Sequence, residues 1–228
     1  MFQNLFDLFV VSQDDGAGTI TYVPSTAGTI ALVILVAALL IAMLVIGGST
    51  RKKMGVQQLA IAAVALTLAV ITNFYAVFKL PYGGSITLFR MFFISLIGYL
   101  YGTRAGIVTG VAYGFLDFIL EPYVVHPVQL LLDYPIAFGL LGLAGVFRNQ
   151  KYGIVKGYIL GVIGRYLCHV LSGIIFFSVN AKSLNAIVYS LGYNATYIVP
   201  EAVLTVVLLS LPPLRNALTT VKQIAAEN

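Results

Sequence analysis

Residues Thr29 to Ile46 read TIALVILVAALLIAMLVI, with no charged residue. A helix needs about 20 apolar residues to cross the hydrocarbon of a bilayer. This run meets that need and stops at Gly47-Gly48, ahead of Arg51-Lys52-Lys53. Further runs of the same kind follow. Val56 to Phe78 ends at Lys79, Pro81 and the Gly83-Gly84 pair. Ile86 to Tyr101 contains Arg90. Ala105 to Leu120 ends at Glu121-Pro122. Val128 to Phe147 follows His126-Pro127 and is closed by Arg148-Asn149-Gln150-Lys151. Tyr158 to Phe177 and Leu184 to Leu211 complete the series, the last closed by Pro212-Pro213 and Arg215. The expectation is an all-α integral membrane protein of about seven helices with short connections.

Composition agrees. The 228 residues are 60% hydrophobic and only 9% charged, with mean hydropathy +0.97, where a soluble domain carries about 25% charged residues. The formal charge of +5 comes from basic residues lying between apolar runs, so it reads as a topology signal. A nucleic-acid surface with interleaved aromatic and basic residues is absent. Cys168 is the one cysteine and cannot form an internal disulfide. The stretch Met1 to Asp15 carries Asp7, Asp14 and Asp15 and no basic residue, so it does not read as a signal peptide.

Orientation follows from the loops. Arg51-Lys52-Lys53, Arg104, Arg148 with Lys151 and Lys156, and Arg215 with Lys222 alternate onto one side. The acidic N-terminus, Lys79, Glu121 and Lys182 fall on the other. The positive-inside rule puts the N-terminus outside and the C-terminus in the cytoplasm of a multi-pass cell-membrane protein. The first helix is a plain aliphatic rod, while polar and aromatic inserts begin after it. Residues 1–53 therefore read as an extension carrying one transmembrane anchor, and residues 54–228 as a six-helix functional domain.

Ionisable groups within a span are costly and face a cavity or a partner. Arg90 lies close enough to an interface to snorkel, and Asp117 lies near a wet helix end; solvation is the plainer reading of both. Asp133 differs, because Leu130-Leu131-Leu132 precedes it and Tyr134-Pro135 follows. It sits about 8 Å in from the outer end of its helix. His169 lies about 12 Å in from its own outer end, and Tyr189 and Asn194 lie about 8 and 15 Å in from theirs. Helix–helix hydrogen bonding explains any one of these groups. Together, three helices bring polar groups to one depth, which points to an outward-facing cavity. A carboxylate, an imidazole, an amide, phenols and the Phe177 ring suit a small, flat cation. Arg165 and Glu201 lie deeper and are expected to pair beneath the cavity floor.

These segments resemble a known family. The run Tyr123-Val124-Val125-His126-Pro127-Val128-Gln129, then Leu132-Asp133-Tyr134-Pro135 and Gly142 to Arg148, is similar to ThiT, the thiamine-binding S-component of energy-coupling-factor (ECF) transporters. So are His169 to Phe177 and Tyr189 to Asn194. The resemblance covers about Met54 to Leu214 and implies a six-helix S-component core with thiamine bound near the outer surface. It assigns substrate binding to Asp133, Tyr134, His169, Tyr189, Asn194 and Tyr123, with Phe177 stacking on the ligand. It implies an ECF transmembrane coupling protein and two ATPase subunits as partners, docked through a small-residue face that Ala65 and Ala69 fit. That spacing equally suits packing within the chain. Two departures stand out. Tyr82-Gly83-Gly84-Ser85 replaces a loop tryptophan found in some members, and the N-terminal helix is additional.

Other functions fit less well. Ser172 three residues from His169 packs more naturally than it reacts, and no metal-protease, paired-cysteine or phosphate-loop motif is present, so an enzyme is not expected, nor any cofactor. The alternatives left open are an S-component for another small vitamin or pyrimidine precursor, and a stand-alone secondary transporter with a polar path through the full membrane.

Overall fold

The apolar runs become helices in the computed structural model, which describes residues 10–14, 20–46, 55–80, 84–177 and 185–227. Helix α1 spans Thr26–Ile46, α2 Val56–Phe74, α3 Arg90–Tyr101, α4 Thr103–Leu120, α5 Pro127–Phe147, α6 Gly153–Phe176 and α7 Ala186–Ser210. Each lies within a few residues of its expected run. Helices α2 and α4 to α7 are long and apolar enough to cross a membrane, and the protein is an all-α, multi-pass membrane protein. Arg51-Lys52-Lys53, Tyr82, Gly83 and Lys182, which entered the orientation and loop readings, lie outside the described residues.

Three features go beyond the expectation. Strands β1 (Val10–Asp14) and β2 (Ile20–Pro24) form an antiparallel hairpin, with Val10 opposite Pro24 and Asp14 opposite Ile20. Strands β3 (Phe78–Lys79) and β4 (Ser85–Ile86) pair across the α2–α3 connection. Helix α8 (Pro212–Glu227) follows α7 directly. Helix α1, expected to stand apart, lies against α4 and the first half of α5.

Helix α5 is one span built from four segments in three conformations. His126 caps its start, its Nδ1 accepting from the Val128 amide at 3.1 Å, and Pro127 occupies the first turn, where no amide is needed. The chain then passes through a π-helical turn, Leu132–Ile136, a short α-helical piece, Ala137–Leu140, and a 3-10 stretch, Leu141–Phe147. Pro135 lies inside the π turn. Proline removes one ladder amide and crowds the preceding turn, and the wider π turn accommodates both effects. Asp133 and Tyr134 ride on that irregular turn.

Glycines bring α3, α4, α5 and α6 into backbone contact. A Cβ on Gly142 would stand 2.1 Å from the Ile107 nitrogen, and one on Gly106 2.6 Å from the Gly98 Cα. Beside the π turn, a Cβ on Gly114 would stand 2.5 Å from the Tyr134 carbonyl oxygen. Gly114→Ala should therefore destabilise the protein by about 1–3 kcal/mol and displace the turn carrying Asp133. Gly192, in α7, has nothing within 4 Å of its missing Cβ; Gly192→Ala should stabilise by up to about 1 kcal/mol. Thermal midpoints in detergent check both, and equal midpoints would show that the contact at Gly114 relaxes freely.

The alanines of α2 face inward. Ala65 packs with Ile97 and Ala105, and Ala69 is fully buried in the main core. Ala65 and Ala69, the pair that fits the implied docking face, thus make packing contacts within the chain.

Candidate substrate-binding site

A cavity of about 330 Å³ opens at one end of the bundle, where α4 and α6 end and α3, α5 and α7 begin. Its volume lies at the lower end of the range for small-molecule sites. The opposite end carries Arg104, Arg148, Lys151, Lys156, Arg215 and Lys222. The seven residues expected to bind ligand, Asp133, Tyr134, His169, Tyr189, Asn194, Tyr123 and Phe177, all line the cavity.

Asp133 is held on one side only. Its Oδ2 accepts from Gln129 Nε2 at 2.6 Å and from Ser172 Oγ at 2.7 Å. Its Oδ1 lies 3.3 Å from His169 Nδ1, close enough for charge pairing but without hydrogen-bond alignment. Gln129 also donates to the Tyr123 carbonyl at 3.2 Å and accepts from the Val125 amide at 3.2 Å. One buried amide thus ties the carboxylate to the loop that brings in Tyr123. Ser172, read from sequence as packing, is a direct partner of Asp133. His169 Nε2 is buried with no hydrogen-bond partner, so the imidazole keeps a polar atom available at the cavity.

Other expected residues are engaged within the protein. The Tyr134 hydroxyl accepts from the Tyr123 amide at 2.9 Å and donates to the Glu121 carbonyl at 3.0 Å. The Asn194 amide donates to the carbonyls of Ser190 and His169, and its Oδ1 accepts from the Tyr197 hydroxyl at 2.6 Å. Tyr134 and Asn194 therefore shape the walls through bonds of their own. The ring of Tyr123 stacks on that of Phe177 at 5.7 Å, and Tyr189 stacks on Tyr193 at 5.9 Å. These two aromatic pairs belong to different parts of the lining.

Two expectations about charge are corrected. Arg90 does not snorkel and Asp117 is not wet: they are 5% and 8% exposed. Arg90 Nη1 donates to Asn73 Oδ1 at 2.6 Å and lies 3.4 Å from Asp117 Oδ1, and both residues line the cavity. The Arg165–Glu201 pair does not form. Glu201 accepts from Thr87 Oγ1 at 2.6 Å and from the Met91 amide at 2.8 Å. It caps the start of α3, whose own N-cap residue, Phe89, offers no side-chain bond. A carboxylate at a helix N-terminus satisfies free amides and opposes the helix dipole. Arg165 instead stacks on Phe138, its guanidinium carbon 3.9 Å from the ring centroid, and its buried Nε and Nη1 make no hydrogen bond.

At the mouth, Glu121 Oε1 accepts from Lys79 Nζ at 2.6 Å and Oε2 from Asn73 Nδ2 at 3.1 Å. Burial alone would raise the Glu121 carboxyl, but the bonds from Lys79 and Asn73 outweigh it and the net shift is downward. A depressed folded value makes this contribution to stability full above the unfolded value, and lost as pH falls through the folded one. Glu121→Gln should lower the thermal midpoint at neutral pH, and the gap to the parent should close below about pH 4. A pH-independent gap would show that ionisation of Glu121 does not matter.

Comparison with known proteins agrees with the fold. The family described as "Thiamine transporter protein (Thia_YuaJ)" matches residues 59–220. The thiamine transporter ThiT of Bacillus subtilis is 34% identical over 164 residues, covering 65% of this chain and 84% of that protein. The ThiT of Lacticaseibacillus paracasei is 35% identical over 116 residues, covering 43% of this chain and 58% of that protein. The solved structure of ThiT from Listeria monocytogenes superposes with a TM-score of 0.57 at 21% identity, covering 68% of this chain and 94% of that one, and so shares the fold. With the match running through the helices that build the cavity, the chain belongs to the ThiT family of thiamine transporters.

Proposed function

We propose that this chain binds thiamine in the cavity and serves as the S-component of an ECF importer, delivering the vitamin with a transmembrane coupling protein and two ATPase subunits. The charge inventory carries the reading. Asp117, Asp133, Glu201 and, at the mouth, Glu121 stand against Arg90, Arg165 and Lys79 in and around the cavity. The carboxylates outnumber the guanidinium and ammonium groups by one, and Asp133 Oδ1 makes no hydrogen bond. A buried charge left unmatched is costly, and a thiazolium ring supplies one fixed positive charge. The stacked tyrosine and phenylalanine rings offer faces to a flat cation. A neutral vitamin or pyrimidine precursor would leave the imbalance in place. Polar groups gathered at one end of the bundle favour a binding component over a secondary transporter.

The remaining parts of the proposal concern arrangement. The basic end faces the cytoplasm, the cavity opens outward, and the N-terminus lies outside. Residues 54–228 form the binding domain, including Asp133, His169, Tyr189, Asn194, Tyr123, Tyr134 and Phe177, and residues 1–53 form an added anchor.

Mass spectrometry of small molecules released from the purified protein, together with calorimetric titration of thiamine, tests the ligand. One thiamine per chain is the expected result, and no heat with an empty protein would sink it. Uptake into vesicles containing the protein alone or with an ECF module tests the partnership. Uptake by the protein alone would reassign it as a stand-alone transporter.

A further inference from the structure

The thiamine reading makes no use of α8, which follows α7 at the basic end. Lys222 Nζ donates to the Arg148 carbonyl and lies 4.9 Å from the Tyr99 ring centroid. Arg215 lies 5.0 Å from the Tyr152 ring centroid. All these partners sit at the end of α3 or in the α5–α6 turn, at the same end of the bundle as the last residues of α7. Arg215 and Lys222 are about 10 Å apart along the helix axis. A helix tethered at two such points to one end of a bundle runs across that end and does not project from it.

Its surface divides into three. Arg215, Leu218, Lys222 and Ala225 turn toward the protein, with Leu218 buried in the main core. Asn216, Thr219, Thr220 and Gln223 form a polar face. Between these faces Leu214, Ala217 and Val221 form an exposed apolar stripe, Leu214 at 37% and Val221 at 44% exposure. Nearby, Arg104, Lys151 and Lys156 are exposed, and the Tyr152 ring is 45% exposed.

We propose that α8 lies in the lipid–water interface, with its Leu214–Ala217–Val221 stripe on the acyl chains and the neighbouring cations on anionic lipid headgroups. Three observations select lipid as the occupant. The stripe begins where a membrane-spanning helix ends. An apolar stripe beside a polar face is the pattern of an in-plane helix. The surrounding cations match an anionic leaflet, and an exposed tyrosine suits the headgroup level.

The chain has no tryptophan, so a single introduced one reports its own surroundings. Val221→Trp and Gln223→Trp proteins, full length and with parent-like thermal midpoints, would be reconstituted in vesicles of phosphatidylcholine and phosphatidylglycerol. Lipids brominated near the carbonyl end of the acyl chains should quench Val221→Trp at least about twofold more than Gln223→Trp. Brominated phosphatidylglycerol should quench Val221→Trp more than brominated phosphatidylcholine at the same fraction. Lys151→Gln with Lys156→Gln should remove that difference. If Val221→Trp fails to fold, Ala217→Trp on the same stripe takes its place. Equally weak quenching at positions 221 and 223 would overturn the interfacial placement and leave the stripe to a protein partner. Equal quenching by the two lipids would overturn the anionic preference.

Discussion

Asp133→Asn is expected to bind thiamine at least about a hundredfold more weakly than the parent, a loss of about 2.7 kcal/mol. The substitution separates charge from shape. An asparagine oxygen at the Oδ2 position still accepts from Gln129 and Ser172, which hold the aspartate at 2.6 and 2.7 Å. The amide nitrogen then occupies the Oδ1 position, 3.3 Å from His169 Nδ1, and places a neutral donor where the parent carries negative charge. A neutral analogue, with the thiazolium replaced by an uncharged ring, should lose far less. Titration of both ligands against both proteins closes a cycle that isolates the charge term. Parent-like thiamine binding by Asp133→Asn would remove the carboxylate from recognition, and the cationic-ligand argument with it. Gln129 gives a graded companion: truncating it frees both Asp133 and the Tyr123 loop, so its loss should affect charged and neutral ligands alike.

Arg90→Met should be the most destabilising single change at the site. It leaves Asp117, 8% exposed, without its ion-pair partner and removes the donor to Asn73 Oδ1. Removing one member of a buried pair costs about 3–5 kcal/mol. In a chain of this size that corresponds to about 6–20 °C in thermal midpoint. Adding Asp117→Asn to Arg90→Met removes the stranded charge and should recover most of the loss. A double variant no better than Arg90→Met would show that the arginine acts through packing on Phe138, its guanidinium carbon 5.4 Å from that ring centroid.

The helices were legible because bilayer-length apolar runs leave few alternatives. The Asp133 and His169 segments were legible too, since each sets one ionisable group among leucines and valines. Helix α8 was hidden by Pro212-Pro213, read as the end of a span. Proline in a first turn also opens a helix, and Leu214, Leu218, Val221 and Ala225 repeat at helical spacing behind it. The β1–β2 hairpin left a similar trace, with Asp15-Gly16 between two short β-rich segments. Pairing between helices left none. Arg90 meets Asp117 27 residues away, and Glu201 reaches the Met91 amide across 110. Proximity along one face suggested an Arg165–Glu201 pair, but the unsatisfied first turn of α3 is a stronger claim on a carboxylate.

The glycine contacts have a consequence for what the cavity can accept. Backbone touching backbone cannot be eased by a rotamer change, so the side formed by α4 and α5, where Gly114 abuts Tyr134, is stiff. The side formed by α7 presents the half-buried side chains of Tyr189 and Tyr193, which yield to a ligand more easily than backbone does, while Tyr197 there is buried and bonded to Asn194. A ligand seated in the cavity is therefore expected to be measured strictly beside Asp133 and leniently beside Tyr189 and Tyr193. Among thiamine analogues, added bulk toward α7 should be tolerated, and the same bulk toward the π turn should be refused.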